Sequence, residues 1–184
     1  TLEDGIINGV QALIQLPFGI GSFIMGGLYA VTVVAGIHHM YTLIDLGQLA
    51  KFGFTYWLPL ASAANVAQGG AAFAVALKSK NAKVKSMALP SALSACMGIT
   101  EPAIFGVNLR YVRPFVCAMV GGAVGAWFGT VTGIGATAYG VTGLPGFLIV
   151  GGYILPYAEL LALSGGVAFA ATWLFWQDAP AQDK

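Results

Sequence analysis

The chain is 184 residues long, 58% hydrophobic and only 8% charged, where soluble domains carry roughly 25% charged residues. Residues 114–158 carry no charge at all and offer no polar cover for a water-facing surface, which excludes a soluble enzyme and a nucleic-acid binder and points to an all-α integral membrane protein. The net charge of +1 says nothing about partners, so the placement of the eight basic and seven acidic residues has to carry the argument. Cys96 and Cys117 lie in apolar surroundings, without a CxxC or a histidine at ligand spacing, so no metal, cofactor or disulfide scaffold is expected. The chain opens at Thr1 with neither a methionine nor a basic-then-apolar leader, and it reads as a fragment or processed half of a longer polypeptide.

In chain order, residues 1–15 pair Thr1 with Asp4 at capping-box spacing and repeat aliphatics at Ile6, Ile7, Val10, Leu13 and Ile14, which predicts a leading amphipathic helix ending near Pro17. Residues 18–37 are twenty without charge, enough for a hydrocarbon core of about 30 Å at about 1.5 Å per residue, and form the first span. Residues 36–53 then mix two histidines, Asp45, Gln48 and Lys51 with aliphatics; a re-entrant or surface-lying segment fits them, since irregular backbone at depth persists only inside protein or beside water. The second span covers residues 52–77, with Tyr56 and Trp57 at an interface, and stops at Lys78.

Residues 78–85 hold half of the basic residues and no acid, which marks cytoplasm. Residues 86–109 are apolar but broken by Pro90, Gly98 and Glu101-Pro102, and they return to basic residues at Arg110 and Arg113. A hairpin entering and leaving from one face satisfies both clusters, with Lys83 and Arg113 cytoplasmic and Glu101 buried between them. Residues 115–134 form the third span, where Gly121, Gly125 and Gly129 would let another helix approach closely. Residues 135–152 read as an unwound or short-hairpin element, residues 153–176 as the last span, and residues 177–184 as a frayed polar tail.

A carboxylate inside a bilayer costs at least about 2.5 kcal/mol, so Glu101 within an uncharged 24-residue stretch needs a reason. A polar ligand such as a sugar supplies one, because a carboxylate accepts two hydroxyl hydrogen bonds while Pro102 stops the helix and frees backbone groups. An ion pair with an arginine or histidine, or a proton relay, are the other readings. His38-His39 follows the first span; neighbours in regular backbone diverge, so one of them is expected at a site and His39 is favoured as the deeper in the polar segment. Asn65 and Gln68 share a helix face as ligand amides or as helix-packing glue, and Asp45 and Glu159 read as solvated or capping.

The segment Gly98-Ile99-Thr100-Glu101-Pro102-Ala103-Ile104-Phe105-Gly106-Val107-Asn108-Leu109-Arg110 resembles the signature of the membrane subunit, domain IIC, of bacterial phosphotransferase-system sugar permeases in the glucose superfamily. Gly36-Ile37-His38-His39 is similar to that family's histidine motif, and Asn65-Val66-Ala67-Gln68-Gly69-Gly70 before a lysine-rich loop resembles the sucrose members of its sucrose/trehalose/β-glucoside branch. So does Asn108-Leu109-Arg110-Tyr111-Val112-Arg113-Pro114-Phe115, while Pro102 departs from some sucrose members that carry alanine there. The resemblance implies that residues 1–176 are the C-terminal sugar-carrying half, with spanning helices, re-entrant hairpins and an amphipathic helix, docked on an N-terminal half that forms a homodimer in the bacterial inner membrane.

By the same resemblance the ligand is a disaccharide, with sucrose favoured over trehalose or a β-glucoside. It is held by Glu101 and by His38 or His39, with Thr100, Asn65 and Gln68 as further contacts. The phosphoryl group comes from the cysteine of a separate phosphorylated B domain, since neither Cys96 nor Cys117 has the basic, exposed setting of a thiolate. Membrane lipid is the other partner expected, and nucleic acid is not. Two rival classes remain at this point: a proton-coupled carrier in which Glu101 and the histidines titrate, and a structural assembly subunit built on the glycine spacing.

Overall fold

The computed structural model describes Asn8, Gly9, Ala12, Ile14 and residues 16–178, so most of the leading amphipathic segment over residues 1–15 lies outside the described residues; the four positions described there are helical. Four helices are long and apolar enough to cross a membrane, spanning Pro17–Val34, Trp57–Lys78, Arg113–Val131 and Gly151–Phe175. The α-helices are α1 (Ile20–Val34), α2 (Tyr41–Phe52), α3 (Trp57–Lys78), α4 (Ala82–Cys96), α5 (Arg113–Val131) and α6 (Ile154–Phe175), joined by shorter helical turns. Among the described residues the β content is a single bridge between Thr55 and Ala136.

Helix α3 is the axis of the fold. It is rich in alanine and buried along nearly its whole length, and small side chains let its neighbours come close, the only strong attraction between helices in lipid being dispersion and hydrogen bonding. Gly121, Gly125 and Gly129 of α5 face α6: a Cβ on Gly121 would lie 2.6 Å from the Ser164 carbonyl oxygen, and one on Gly129 would lie 2.7 Å from Leu160. Helix α1 buries Ser22, Gly26, Tyr29, Ala30 and Val33 on one stripe and exposes Phe23, Ile24, Leu28 and Val31 on the other. It runs antiparallel to α5, as the Thr130–Ser22 hydroxyl pair at 2.6 Å and the bond from Trp127 Nε1 to the Phe18 carbonyl at 2.9 Å require.

Residues 36–53 are more regular than expected. A 3-10 turn over Ile37–Met40 follows Gly36, whose φ is 75°, and then α2 turns its polar residues inward: Asp45 and Gln48 are buried while Leu43 and Leu46 are exposed. That inverted amphipathicity suits a helix whose outer face meets lipid. The second span starts at Trp57 rather than at residue 52, because Thr55 pairs with Ala136 in both directions (2.9 and 2.8 Å) and holds residues 53–56 out of the helix.

The segment from α4 to Tyr111 is a hairpin. Asn81 caps α4 by accepting from the Lys83 amide at 2.9 Å, the chain turns over residues 97–100, and a return arm runs through Glu101–Ala103, a π-helical turn Ile104–Asn108 and Leu109–Tyr111. Pro102 therefore opens the return arm, its missing N–H falling where a first helical turn has no partner, instead of stopping a helix. The basic clusters on either side of the hairpin meet at one end of the bundle. Lys78 Nζ donates to the Trp173 and Trp176 carbonyls and Arg113 to the Phe175 carbonyl at 3.3 Å, so both cations sit on the C-terminal carbonyls of α6. Asp178 accepts from the Ser79 hydroxyl (2.8 Å) and the Lys80 amide (2.7 Å), so the expected tail is held at that residue, and positions 179–184 lie outside the described residues.

Residues 132–153 form the second broken segment, and its turn meets the hairpin tip backbone to backbone. Gly143 (φ +75°) has no room for a Cβ, which would fall 2.3 Å from the Cys96 carbonyl oxygen, and one on Gly98 (φ +95°) would fall 2.8 Å from that of Thr142. The junction is fastened by the Gly143 amide donating to Ser62 Oγ (3.1 Å) and by the Tyr157 hydroxyl donating to the Gly143 carbonyl (2.6 Å). Gly143→Ala combines a strained φ with a backbone clash and should lower stability by about 2 kcal/mol or more, read as a lower midpoint of thermal unfolding in detergent. A midpoint equal to the parent's would show that the two tips do not meet this closely.

Candidate binding cavity

A cavity of about 340 Å³ opens where the end of α1, the Ile37–Met40 turn, α2, the first half of α3, the hairpin tip and residues 139–142 converge. That volume lies within the usual range for small-molecule sites. Five of the six positions singled out from sequence line it: Glu101 and Thr100 from the hairpin, His38 and His39 from the turn, and Asn65 from α3. Gln68 does not. It is buried two turns past Ala61 and accepts from Asn108 Nδ2 at 2.8 Å, with a second bond from the same nitrogen to the Gln68 carbonyl at 2.9 Å. Its geometry is that of a tie between α3 and the π-helical turn, the packing alternative.

His38 Nε2 and Glu101 Oε1 stand 3.7 Å apart, too far for a direct hydrogen bond and close enough for one hydroxyl to touch both. The expectation of a buried Glu101 is corrected: its side chain is 46% exposed, facing the cavity, so the membrane cost is met by an open polar pocket and not by enclosure. The expectation that one histidine would turn away is corrected too. Both rings line the cavity, with centroids 4.0 Å apart, because Gly36 and the 3-10 turn depart from the regular backbone that would have splayed them. Burial and the neighbouring His39 lower the pKa of His38, with Glu101 opposing, so His38 favours the neutral imidazole, and its Nδ1 is buried without a partner among the described residues.

Asp45 was expected to be solvated or capping, and it is buried at the cavity wall. Thr55 Oγ1 lies 2.7 Å from Asp45 Oδ1 and 2.9 Å from Gln48 Oε1, while the Trp57 amide donates to the same hydroxyl (3.1 Å) and the Tyr56 amide to Gln48 Oε1 (3.0 Å). Burial pushes the Asp45 carboxyl up to about 7, against the lowering effect of bonds from Thr55 and the Leu58 amide. Thr55 has one hydroxyl proton and two acceptors, Asp45 and Gln48, within its reach. The lone acid on an apolar segment was a legible signal by the reasoning applied to Glu101. Thr142, which accepts from Asn65 Nδ2 at 2.7 Å, and Tyr139, whose hydroxyl lies 3.1 Å from Thr42 Oγ1, had no local signal and reach the cavity only through the second broken segment. Glu159 is exposed, and Cys96 and Cys117 are unpaired, with burial raising the Cys96 thiol away from thiolate chemistry.

Two broken segments meeting inside a bundle of helices long and apolar enough to cross a membrane, with a polar cavity at their junction, define the architecture of a membrane protein with an internal polar site. Residues 1–122 match the family "Phosphotransferase system, EIIC", and the chain belongs to that family, a membrane component of the system. It is similar to the "PTS system sucrose-specific EIIBC component" of Bacillus subtilis (strain 168), 46% identical over 175 residues that are 95% of this chain and 38% of that protein. It is likewise similar to the sucrose-specific EIIBC component of Salmonella typhimurium, 44% identical over 94% of this chain and 38% of that protein. The trehalose-specific EIIBC component of Bacillus subtilis (strain 168) is 40% identical over 95% of this chain and 37% of that protein. The chain thus spans less than two fifths of the length of these curated relatives. No solved structure matches it.

Because the Asp45 carboxyl holds its proton more tightly folded than unfolded, stability contributed through it falls as pH rises from 3.8 towards about 7 and levels off above. Asp45→Asn is uncharged at every pH, so it should remove that slope, measured by thermal unfolding of variant and parent across pH 4–9. A slope unchanged by the substitution would mean that Asp45 does not titrate there.

Proposed function

We propose that this chain is the sugar-carrying part, over residues 1–176, of a multi-pass permease in the bacterial inner membrane, and that it binds a disaccharide, sucrose before trehalose or a β-glucoside. The observation that carries the reading is the His38–Glu101 pair, set 3.7 Å apart across a polar cavity in a family member whose relatives are named sucrose-specific. Glu101 accepts from sugar hydroxyls and orients the ring, Thr100 and Asn65 add contacts beside it, and neutral His38 takes up the proton of the hydroxyl that is phosphorylated. The S–P bond of a phosphocysteine on a B domain breaks, the sugar O6–P bond forms, and the hydroxyl proton passes to the imidazole. The thiolate released stays on the B domain. An N-terminal half carrying the homodimer contact completes the permease, with lipid around it.

Glu101→Gln keeps the shape and loses the charge-assisted acceptor, so sucrose affinity should fall by about 1.5 to 3 kcal/mol, more than tenfold, before folding suffers. A purified variant that binds as tightly as the parent would move the site elsewhere. With a phosphorylated B domain supplied, His38→Ala should abolish sugar phosphorylation and His39→Ala should weaken it less, since His38 is the ring facing Glu101. Equal activity of the two variants would remove that distinction. Cysteines placed at Lys83 and Arg113 should both be refractory to an impermeant reagent applied to intact cells, because both flanks of the hairpin sit at the cytoplasmic end. Labelling of one alone would replace the hairpin with a crossing helix.

A further inference from the structure

The cavity is longer than the Glu101–His38 pair requires. Its α3 wall runs from Trp57 and Leu58 through Ala61 to Asn65, nine residues and about 12 Å of helix, which exceeds one hexose ring. Asn65 is tied to Thr142 beside the hairpin tip and belongs to the Glu101 end, whereas Trp57 and Leu58 mark the opposite end, next to Asp45.

That far end is equipped and unused. Tyr41 is half-buried at the wall, and behind it the Trp57 ring packs edge-on at 4.5 Å between centroids and Tyr29 at 5.7 Å, so the phenol ring is braced from two sides. Braced aromatic rings are surfaces for the C–H faces of sugars, apolar on one side and rimmed with polar groups. The Trp57 indole N–H is buried and has no partner among the described residues, although Trp57 lines the cavity. Asp45 also lines the cavity, with a carboxyl that accepts from Thr55 and engages the Leu58 amide, and a carboxyl has lone pairs beyond those two.

Building on the reading of the cavity as a sugar site, we propose that Tyr41, braced by Trp57, and Asp45 form a second-ring subsite, which takes the sugar residue remote from the Glu101–His38 pair and selects disaccharides over monosaccharides. The ring of Tyr41 carries one face of that sugar, while the Asp45 carboxyl engages a hydroxyl. Selectivity follows from reach: a monosaccharide held by Glu101 leaves the Tyr41 ring uncovered, and a disaccharide covers it.

The test is equilibrium binding of sucrose, trehalose and methyl α-D-glucoside to the full chain in lipid nanodiscs. The parent should bind the better disaccharide at least about tenfold more tightly than the methyl glucoside. Tyr41→Leu should remove about tenfold from disaccharide affinity and leave the methyl glucoside within about twofold, and Asp45→Asn should shift the same ratio in the same direction. Tyr41→Phe keeps the ring and should bind like the parent, which guards against a Tyr41→Leu protein that fails to fold. Equal affinity of the parent for methyl glucoside and both disaccharides overturns the subsite while leaving the sugar site standing, as does an equal loss for all three sugars in Tyr41→Leu. Saturable binding of none of the three overturns the sugar reading itself and the subsite with it.

Discussion

Everything in this fold depends on backbone that leaves helical geometry inside a bilayer being covered by protein. Residues 97–100 and the turn within the second broken segment cover each other: the carbonyls of Cys96 and Thr142 lie where a Cβ on Gly143 or Gly98 would have to go. Lipid cannot satisfy the freed amide and carbonyl groups, whereas Ser62 and Tyr157 do so from the helices behind. The contact needs two residues without side chains at positive φ, so its chemistry is almost entirely backbone chemistry. Small residues along α3, α5 and α6 then let the helices close around the junction.

The polar cavity is a consequence of that closure. Where two tips meet, some polar groups face inward, and the Glu101 side chain there stays partly exposed to the cavity. Glu101 and Asp45 show two ways of placing an acid at depth. Glu101 is open to the cavity beside His38, while Asp45 is enclosed, accepts from the Thr55 hydroxyl and is pushed by burial towards the protonated form. One cavity thus holds an exposed carboxyl and an enclosed one.

Charge placement ties the interior to the outside. The cations bracketing the hairpin cover the C-terminal carbonyls of α6, so the residues that stand out as a charge signal in the sequence also complete a helix end. A topological signal and a capping interaction coincide there, which explains why the tail remains attached as far as Asp178.

The membrane class, the four spans, the hairpin between two basic clusters and the family were all readable from the linear order of residues, because hydropathy, charge runs and short motifs are local properties. Glu101, His38, His39, Thr100 and Asn65 were legible for the same reason, each standing out as polar in an apolar run or within a motif. What escaped were relations between distant segments. Gln68 and Asn65 share a helix face in sequence, and only the partners brought in by folding, Asn108 for one and Thr142 for the other, send the first into packing and the second into the cavity. The two histidines share the cavity because a left-handed glycine and a 3-10 turn replace regular backbone, and Asp45 is buried because α2 folds its polar face onto the start of α3. Periodicity reports which residues lie on one face, but what that face meets is settled by packing between elements far apart in the chain.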